Sequence, residues 1–341
     1  MYSFASDYLE GAHPTILQKM METNSLQTPG YGLDPYCEQA REEITSRLGN
    51  VDADIHFVVG GTQANLLVID ACLRSYEAVI GVHTSHINVH ETGAIEHVGH
   101  KIIAVDGIDG KVRPCDVEEV LGSHLDEHMV LPKMVFISNA TEIGTIYTKA
   151  ELVALSEYCH AHGLYLYMDG ARLGSALCAE ENDLTLEDIA SLVDVFYIGG
   201  TKNGALFGEA IVICNPELKG HFRFAIKQNG AMLAKGRLLG IQFYELFKED
   251  LYFELAAHAN KLSMELKKGL EQLGVEFAYD SPTNQQFIYL AKDVYEKVCE
   301  KYVVSKQFDT KDGRAMVRLV TSWCTPNNAV TEFLSDLRGW L

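Results

Sequence analysis

No stretch of this sequence is apolar for long enough to cross a bilayer. Its opening residues, Met1-Tyr2-Ser3-Phe4-Ala5-Ser6-Asp7, lack the basic segment followed by an apolar one that marks an export signal. Basic residues are scarce: 28 Lys and Arg stand against 47 Asp and Glu, a formal charge of −19. That imbalance argues against nucleic acid or an anionic membrane as a main partner and favours a solvated acidic surface. Closely paired cysteines are missing as well. The eight thiols are scattered, and even the nearest two, Cys159 and Cys178, form no Cys-x-x-Cys pair. A zinc knuckle or disulfide framework is therefore not expected, and a reduced, cytoplasmic chain is. Gly-x-Gly-x-x-Gly and Walker A loops are absent, as are repeats, low-complexity tracts and Pro/Ser-rich linkers. His83, His86, His90, His97 and His100 crowd one stretch, but Ala94 stands where a His-Glu-x-x-His motif starting at His90 needs its second histidine. No cysteine joins the group, so no metal site is expected.

With 341 residues and 47% apolar content, the chain can bury a sizeable core, and two domains are expected. Short apolar, β-branched or aromatic runs recur at 55–59, 78–82, 101–105, 134–138, 164–168, 194–198 and 210–214. They read as strands buried on both faces, the habit of a mostly parallel sheet. Between them, 62–74 and 149–162 carry apolar residues at helical spacing, among them Leu66, Ile69, Leu152 and Leu155. Alternating strand and helix predicts an α/β sheet covered on both sides. Past residue 245 the pattern changes. One long amphipathic helix is expected over 248–274, ending at Leu273-Gly274, then strands at 286–290 and 315–320 and a last helix over 327–341. The division predicted is a large domain over 1–245 and a small α+β domain over 246–341.

Two strand ends carry suggestive residues. Lys202 follows the apolar run Phe196-Tyr197-Ile198 through Gly199-Gly200-Thr201, and Asp169 closes Leu164-Tyr165-Leu166-Tyr167-Met168-Asp169. An Asp and a Lys so placed suit pyridoxal phosphate. That cofactor needs a lysine to form a Schiff base and an acid to keep its ring nitrogen protonated. Taken singly, Lys202 also reads as a solvated charge, and Asp169 as a helix cap with Arg172 paired to a surface acid. The turn Gly60-Gly61-Thr62-Gln63 leads from a strand into a helix, where backbone amides meet a phosphate readily; it also reads as a plain turn. A flat imidazole suits stacking on a flat ring, and His86, just past a strand end, is the histidine so placed. Arg318, within Met316-Val317-Arg318-Leu319-Val320, offers a bidentate grip on an amino-acid carboxylate, or else is an ordinary strand-edge charge.

Together these runs resemble the threonine aldolase / β-eliminating lyase family of pyridoxal phosphate enzymes. The likeness spans nearly the whole chain: Ala5-Ser6-Asp7, Gly30-Tyr31-Gly32-Leu33-Asp34-Pro35, Gly61-Thr62-Gln63-Ala64-Asn65, Thr84-Ser85-His86, Asp169-Gly170-Ala171-Arg172, Gly200-Thr201-Lys202 and Arg318-Leu319-Val320-Thr321. It implies the pyridoxal phosphate transferase-like fold of type I, as in aspartate aminotransferase. That is an α/β fold with a seven-stranded, mostly parallel sheet sandwiched by helices, plus a small α+β C-terminal domain within reach of the N-terminal segment. It also implies a homodimer or homotetramer with active sites shared across the dimer interface. Lys202 would tether the cofactor, Asp169 bind the ring nitrogen and His86 stack on the ring. Gly61, Thr62 and Gln63 would cradle the phosphate, with Thr201 and Arg172 beside the cofactor and Tyr31 reaching a site across the interface. Ser6, Arg172 and Arg318 would hold the substrate carboxylate.

The activity implied is aldol cleavage of a β-hydroxy-α-amino acid, L-threonine or L-allo-threonine, to glycine and acetaldehyde, within threonine catabolism and glycine biosynthesis. The same apparatus also suits β-elimination of serine, cysteine or aromatic amino acids, or a paralogue that binds the cofactor with little turnover. Two departures from the family pattern stand out. The loop Ser138-Asn139-Ala140-Thr141-Glu142-Ile143-Gly144 lacks the family's histidine, leaving His86, or Glu142 through a water, as proton acceptor. Met232-Leu233 stands where members have Met-Arg, leaving Lys235 or Arg237 to meet a phosphate across subunits.

Overall fold

The structure, a computed structural model, describes residues 1–341. Its strands in chain order are β1 (Tyr2–Ser3), β2 (Asp54–Val58), β3 (Glu77–Val82), β4 (Ile102–Val105), β5 (Leu131–Ser138), β6 (Tyr165–Asp169), β7 (Val195–Gly199), β8 (Glu209–Ile213), β9 (Gln285–Leu290), β10 (Tyr302–Val303), β11 (Ser305–Asp309) and β12 (Ala315–Val320). Seven of them form one sheet in the order β2-β8-β7-β6-β5-β3-β4. β8 alone runs against the rest, pairing antiparallel with both β2 and β7. Residues of β3, β7 and β8 are buried from end to end, because helices cover both sheet faces and no face is left for polar alternation. Two apolar cores result, one on each face. Leu152, Leu155 and Phe243 belong to the first, and Leu67, Val68 and Phe222 to the second.

Strand register sets out the site. Ser138 pairs with Asp169 across β5 and β6, while Glu209 pairs with Gly199 of β7 and Val58 of β2. The carboxyl ends of four parallel strands and the start of the antiparallel one therefore share one edge, where open α/β sheets take their ligands.

Three of the remaining five strands build an antiparallel sheet, β11-β12-β9. The helix Leu251–Gln272 passes from one core to the other: Tyr252 and Leu255 pack in the first sheet core, Leu262, Leu266 and Leu270 in the third. Residues 245 and 246 lie inside the helix Arg237–Phe247, and the chain turns only at Asp250, whose φ is +60°. The N-terminus belongs to the third core. β1 pairs parallel with β10, and Phe4 is fully buried against Tyr302 and Phe333. That docking delivers Ala5, Ser6 and Asp7 to the edge of the large sheet.

Candidate active site

A cavity of about 250 Å³ opens at the carboxyl edge of the sheet. Gly60, Gly61, Thr62, His86, Asp169, Arg172, Thr201 and Lys202 line it, together with Glu142, Tyr197 and Glu209. A larger chamber of about 770 Å³ adjoins it on the side of the small sheet and adds His90, Phe308 and Arg318. Backbones approach closely around the cavity. A Cβ on Gly170 would lie 1.8 Å from the Tyr197 carbonyl oxygen, and one on Gly200 2.7 Å from that of Gly208, so neither position admits a side chain.

Asp169 is the best-supported acid of the site. It is buried, with Oδ1 accepting from the Ala171 amide at 2.9 Å and from the Tyr197 hydroxyl. Oδ2 accepts from Asn65 Nδ2 at 3.1 Å. Asn65 lies one turn into the helix Gly61–Cys72 and receives the Tyr167 hydroxyl on its Oδ1 at 2.8 Å. Its Nδ2 also donates to Glu91 Oε1 at 2.7 Å, and the same oxygen lies 2.7 Å from His86 Nδ1. Asp169 and His86 are therefore joined through Asn65 and Glu91, which fixes the plane of the imidazole. Gly60 caps the Gly61–Cys72 helix in an extended conformation, leaving its first-turn amides free of any side-chain cap. Gln63 instead turns its Oε1 back to the Val59 amide at 3.2 Å.

Lys202 carries no hydrogen bond or ion pair. Burial, aided by the nearby Arg172 charge, holds its amine below the ordinary lysine value despite Asp7, Asp169 and Glu209. Burial likewise pushes the Glu209 carboxyl up to about 7, against a hydrogen bond from Thr201, the charge of Lys202 and the Gly200 amide. A desolvated lysine with a depressed proton affinity is a ready amine nucleophile. Perturbed groups gathered in one cleft mark a functional site.

The two arginines differ. Arg172 commits Nε and Nη2 to Asp7, at 2.7 and 3.0 Å, which leaves Nη1 for another partner. Asp7 is buried and also accepts from Asn284 at 2.9 Å. Arg318 is held only by 3.3 Å contacts to Gln285 and to the Ala5 carbonyl, and its buried Nε has no partner. Burial and the charge of Arg172 destabilise that cation, so an anion seated against it would be strongly held. Ser6 Oγ is buried without a partner but lines neither chamber.

Tyr31 also lines neither chamber. It sits in the left-handed region at φ +62°, half exposed, with the Lys227 ammonium 5.0 Å from its ring centre. Arg237 is spent on the Leu26 and Thr23 carbonyls, whereas Lys235 is exposed and unpaired. Sequence reasoning assigned no role to Asn65, Glu91, Tyr197, Glu209 or Asp7. Glu209 carries a readable signal, an acid opening a strand that is otherwise wholly apolar. The other four meet their partners only through the fold.

These features fit a lysine-tethered pyridine phosphate. The unpaired buried amine, a buried carboxylate with fixed donors, a flat imidazole and bare helix amides surround one cavity. The comparisons agree. The family model described as Beta-eliminating lyase matches residues 3–293. A low specificity L-threonine aldolase of Pseudomonas sp. is 32% identical over 342 residues, covering 98% of this chain and 97% of that protein. A threonine aldolase structure from Leishmania major superposes with a TM-score of 0.98 at 48% identity, over 99% of each chain. Aspartate aminotransferase from Thermus thermophilus, 16% identical, shares the fold with a TM-score of 0.72 over 99% of this chain and 90% of that one.

Proposed function

The chain belongs to the β-eliminating lyase family, whose members depend on pyridoxal phosphate, and from that premise we propose that it cleaves a β-hydroxy-α-amino acid. L-threonine or L-allo-threonine is the substrate, with glycine and acetaldehyde as products. This reading follows the threonine aldolases among its relatives. The observation that carries it is the unpaired Lys202 amine sharing a cavity with Asp169 while Arg318 waits in the adjoining chamber.

Bound pyridoxal phosphate supplies a place for the electron pair set free at Cα when a bond to that carbon breaks. The chain's own residues do the rest. Lys202 offers its amine as tether. Asp169, held by Tyr197, Ala171 and Asn65, would meet the ring nitrogen and keep it protonated. Gly61, Thr62 and Gln63 would offer first-turn amides to the phosphate, and His86, held by Glu91, would stack on the ring. Arg318, with Arg172 Nη1, would grip the substrate carboxylate and so decide which Cα bond stands ready to break. Thr201 keeps the lysine turn closed by accepting from the Gly208 amide at 3.0 Å.

The substrate would lie between the large unit, 1–245, and the small one, 246–341. We place this chain in a homodimer or homotetramer, the assembly that the resemblance to its family implies. Lys235 of a second copy would meet the phosphate, and Tyr31 would approach a neighbouring site. No helix is long and apolar enough to cross a membrane, and the eight free cysteines suit a cytoplasmic role in threonine breakdown and glycine supply.

The visible spectrum of purified protein, before and after glycine and threonine, tests the proposal, with acetaldehyde, pyruvate and sulfide assayed from threonine, allo-threonine, serine and cysteine. Acetaldehyde from threonine supports it. Pyruvate from serine or sulfide from cysteine, without acetaldehyde, would replace it with β-elimination.

A further inference from the structure

We propose that Glu142 holds the substrate's β-hydroxyl group and takes its proton, a role that rests on the cleavage reading above. Five residues line both the inner cavity and the outer chamber: Tyr8, His86, Glu142, Arg172 and Lys202. The β-hydroxyl belongs at that junction, since Cα sits by the lysine tether and the carboxylate reaches Arg318 in the outer chamber. Of the five, Lys202 is the tether, and the Arg172 guanidinium has no acceptor atom. His86 turns Nδ1 to Glu91 and reserves its face for the cofactor ring. Tyr8 is 54% exposed, out where water competes.

Glu142 is arranged differently. Its Oε1 is pinned by two donors, the His86 amide at 2.9 Å and the Ser138 hydroxyl at 2.7 Å. Its Oε2 is buried and has no partner at all. An acceptor taken out of water and left without a donor is a standing vacancy for a hydroxyl. Burial, and after it the charge of Asp169, also holds the carboxyl above its ordinary value, which makes the ionised form a better proton acceptor. With Oε1 pinned by two donors, the carboxylate is restrained before substrate arrives.

The step balances within the substrate and this one side chain. The β O–H bond breaks and its proton passes to Oε2. The oxygen's electron pair becomes the second bond of the leaving aldehyde, and the Cα–Cβ pair stays with the glycine fragment. Cα takes up one proton from solvent to complete glycine, and Glu142 sheds its own to solvent, which restores the carboxylate.

The test compares two reactions that share every feature except the hydroxyl. In Glu142→Gln, acetaldehyde release from L-threonine is expected to fall at least ~100-fold, the low end for loss of a general base. The glycine dissociation constant, read from the absorbance change at equilibrium, and exchange of a glycine α-hydrogen with deuterated water should stay within about threefold of wild type, since neither needs a β-hydroxyl acceptor. Glu142→Asp keeps the charge but withdraws it by one methylene and carries the same comparison if the glutamine variant does not fold. Cleavage within about threefold of wild type overturns the proposal, because a proton acceptor in the reaction contributes far more. Loss of glycine affinity in step with cleavage overturns it too, making Glu142 part of the cofactor site. A wild-type protein that binds glycine but cleaves no β-hydroxy amino acid removes the cleavage reading and this inference with it.

Discussion

Replacing Asp7 by asparagine strips one charge from a buried pair and leaves the other in place. Arg172 is bound by both Asp7 oxygens, and Asp7 also receives Asn284 from the small unit. Removing one partner of such a pair costs about 3–5 kcal/mol, because the survivor stays buried and uncompensated. At about 2 °C per kcal/mol for a chain of this size, the thermal midpoint should drop by about 6–10 °C, with asparagine's retained shape favouring the lower figure. The sign of the pH dependence follows from the carboxyl itself. Burial alone would raise it, but the Arg172 and Lys202 charges and the hydrogen bonds from Arg172 and Asn284 outweigh burial and hold it below its ordinary value. A carboxyl depressed in the folded state stabilises the fold above its unfolded pKa and stops doing so as pH falls through the folded one. The gap between wild type and Asp7→Asn should therefore be constant from pH 8 to 5 and narrow below about 4, as read by circular dichroism melts. A variant within about 1 °C of wild type at pH 7, or a gap that does not close in acid, refutes the reasoning.

Three further outcomes are expected. Lys202→Ala should yield no covalent adduct after borohydride treatment in the presence of pyridoxal phosphate, as read by intact mass; a labelled variant would move the tether to another amine. Arg318→Lys should weaken glycine binding about tenfold or more through loss of the planar grip, with cofactor absorbance unchanged. Parallel loss of cofactor would show a structural role instead. In protein stripped of cofactor, Glu209 holds its proton up to about 7 in the fold but only to its ordinary value of 4.5 when unfolded. Stability from this group is thus lost as pH rises across that window, the reverse of Asp7, and Glu209→Gln should flatten melts over it.

Much of the sheet was legible because its strands are continuous apolar runs: β12 falls on the 315–320 reading, and the strand expected at 210–214 is β8 at Glu209–Ile213. β11 escaped notice because Ser305-Lys306-Gln307-Phe308-Asp309 is an exposed edge with little apolar content. The expected long helix from 248 starts at Leu251 instead. Helical periodicity runs on through Asp250, and nothing local announces its left-handed turn. In the site, Lys202, Asp169 and the Gly60-Gly61 turn were readable because each is a local strand-end pattern. The bond between Arg172 and Asp7 was not, since the two lie 165 residues apart and meet only when β1 docks on β10. The chain of contacts from His86 through Glu91 and Asn65 to Asp169 is hidden for the same reason.

The docked N-terminus has a practical corollary. Phe4 anchors in the core under the three-stranded sheet while Asp7, three residues on, fastens to Arg172 at the edge of the seven-stranded one, so a handful of residues laces the two sheets together. Trimming them, or hanging a bulky expression tag before Met1, should disturb turnover from a distance, whereas the exposed Leu341 offers a fusion point remote from that lacing.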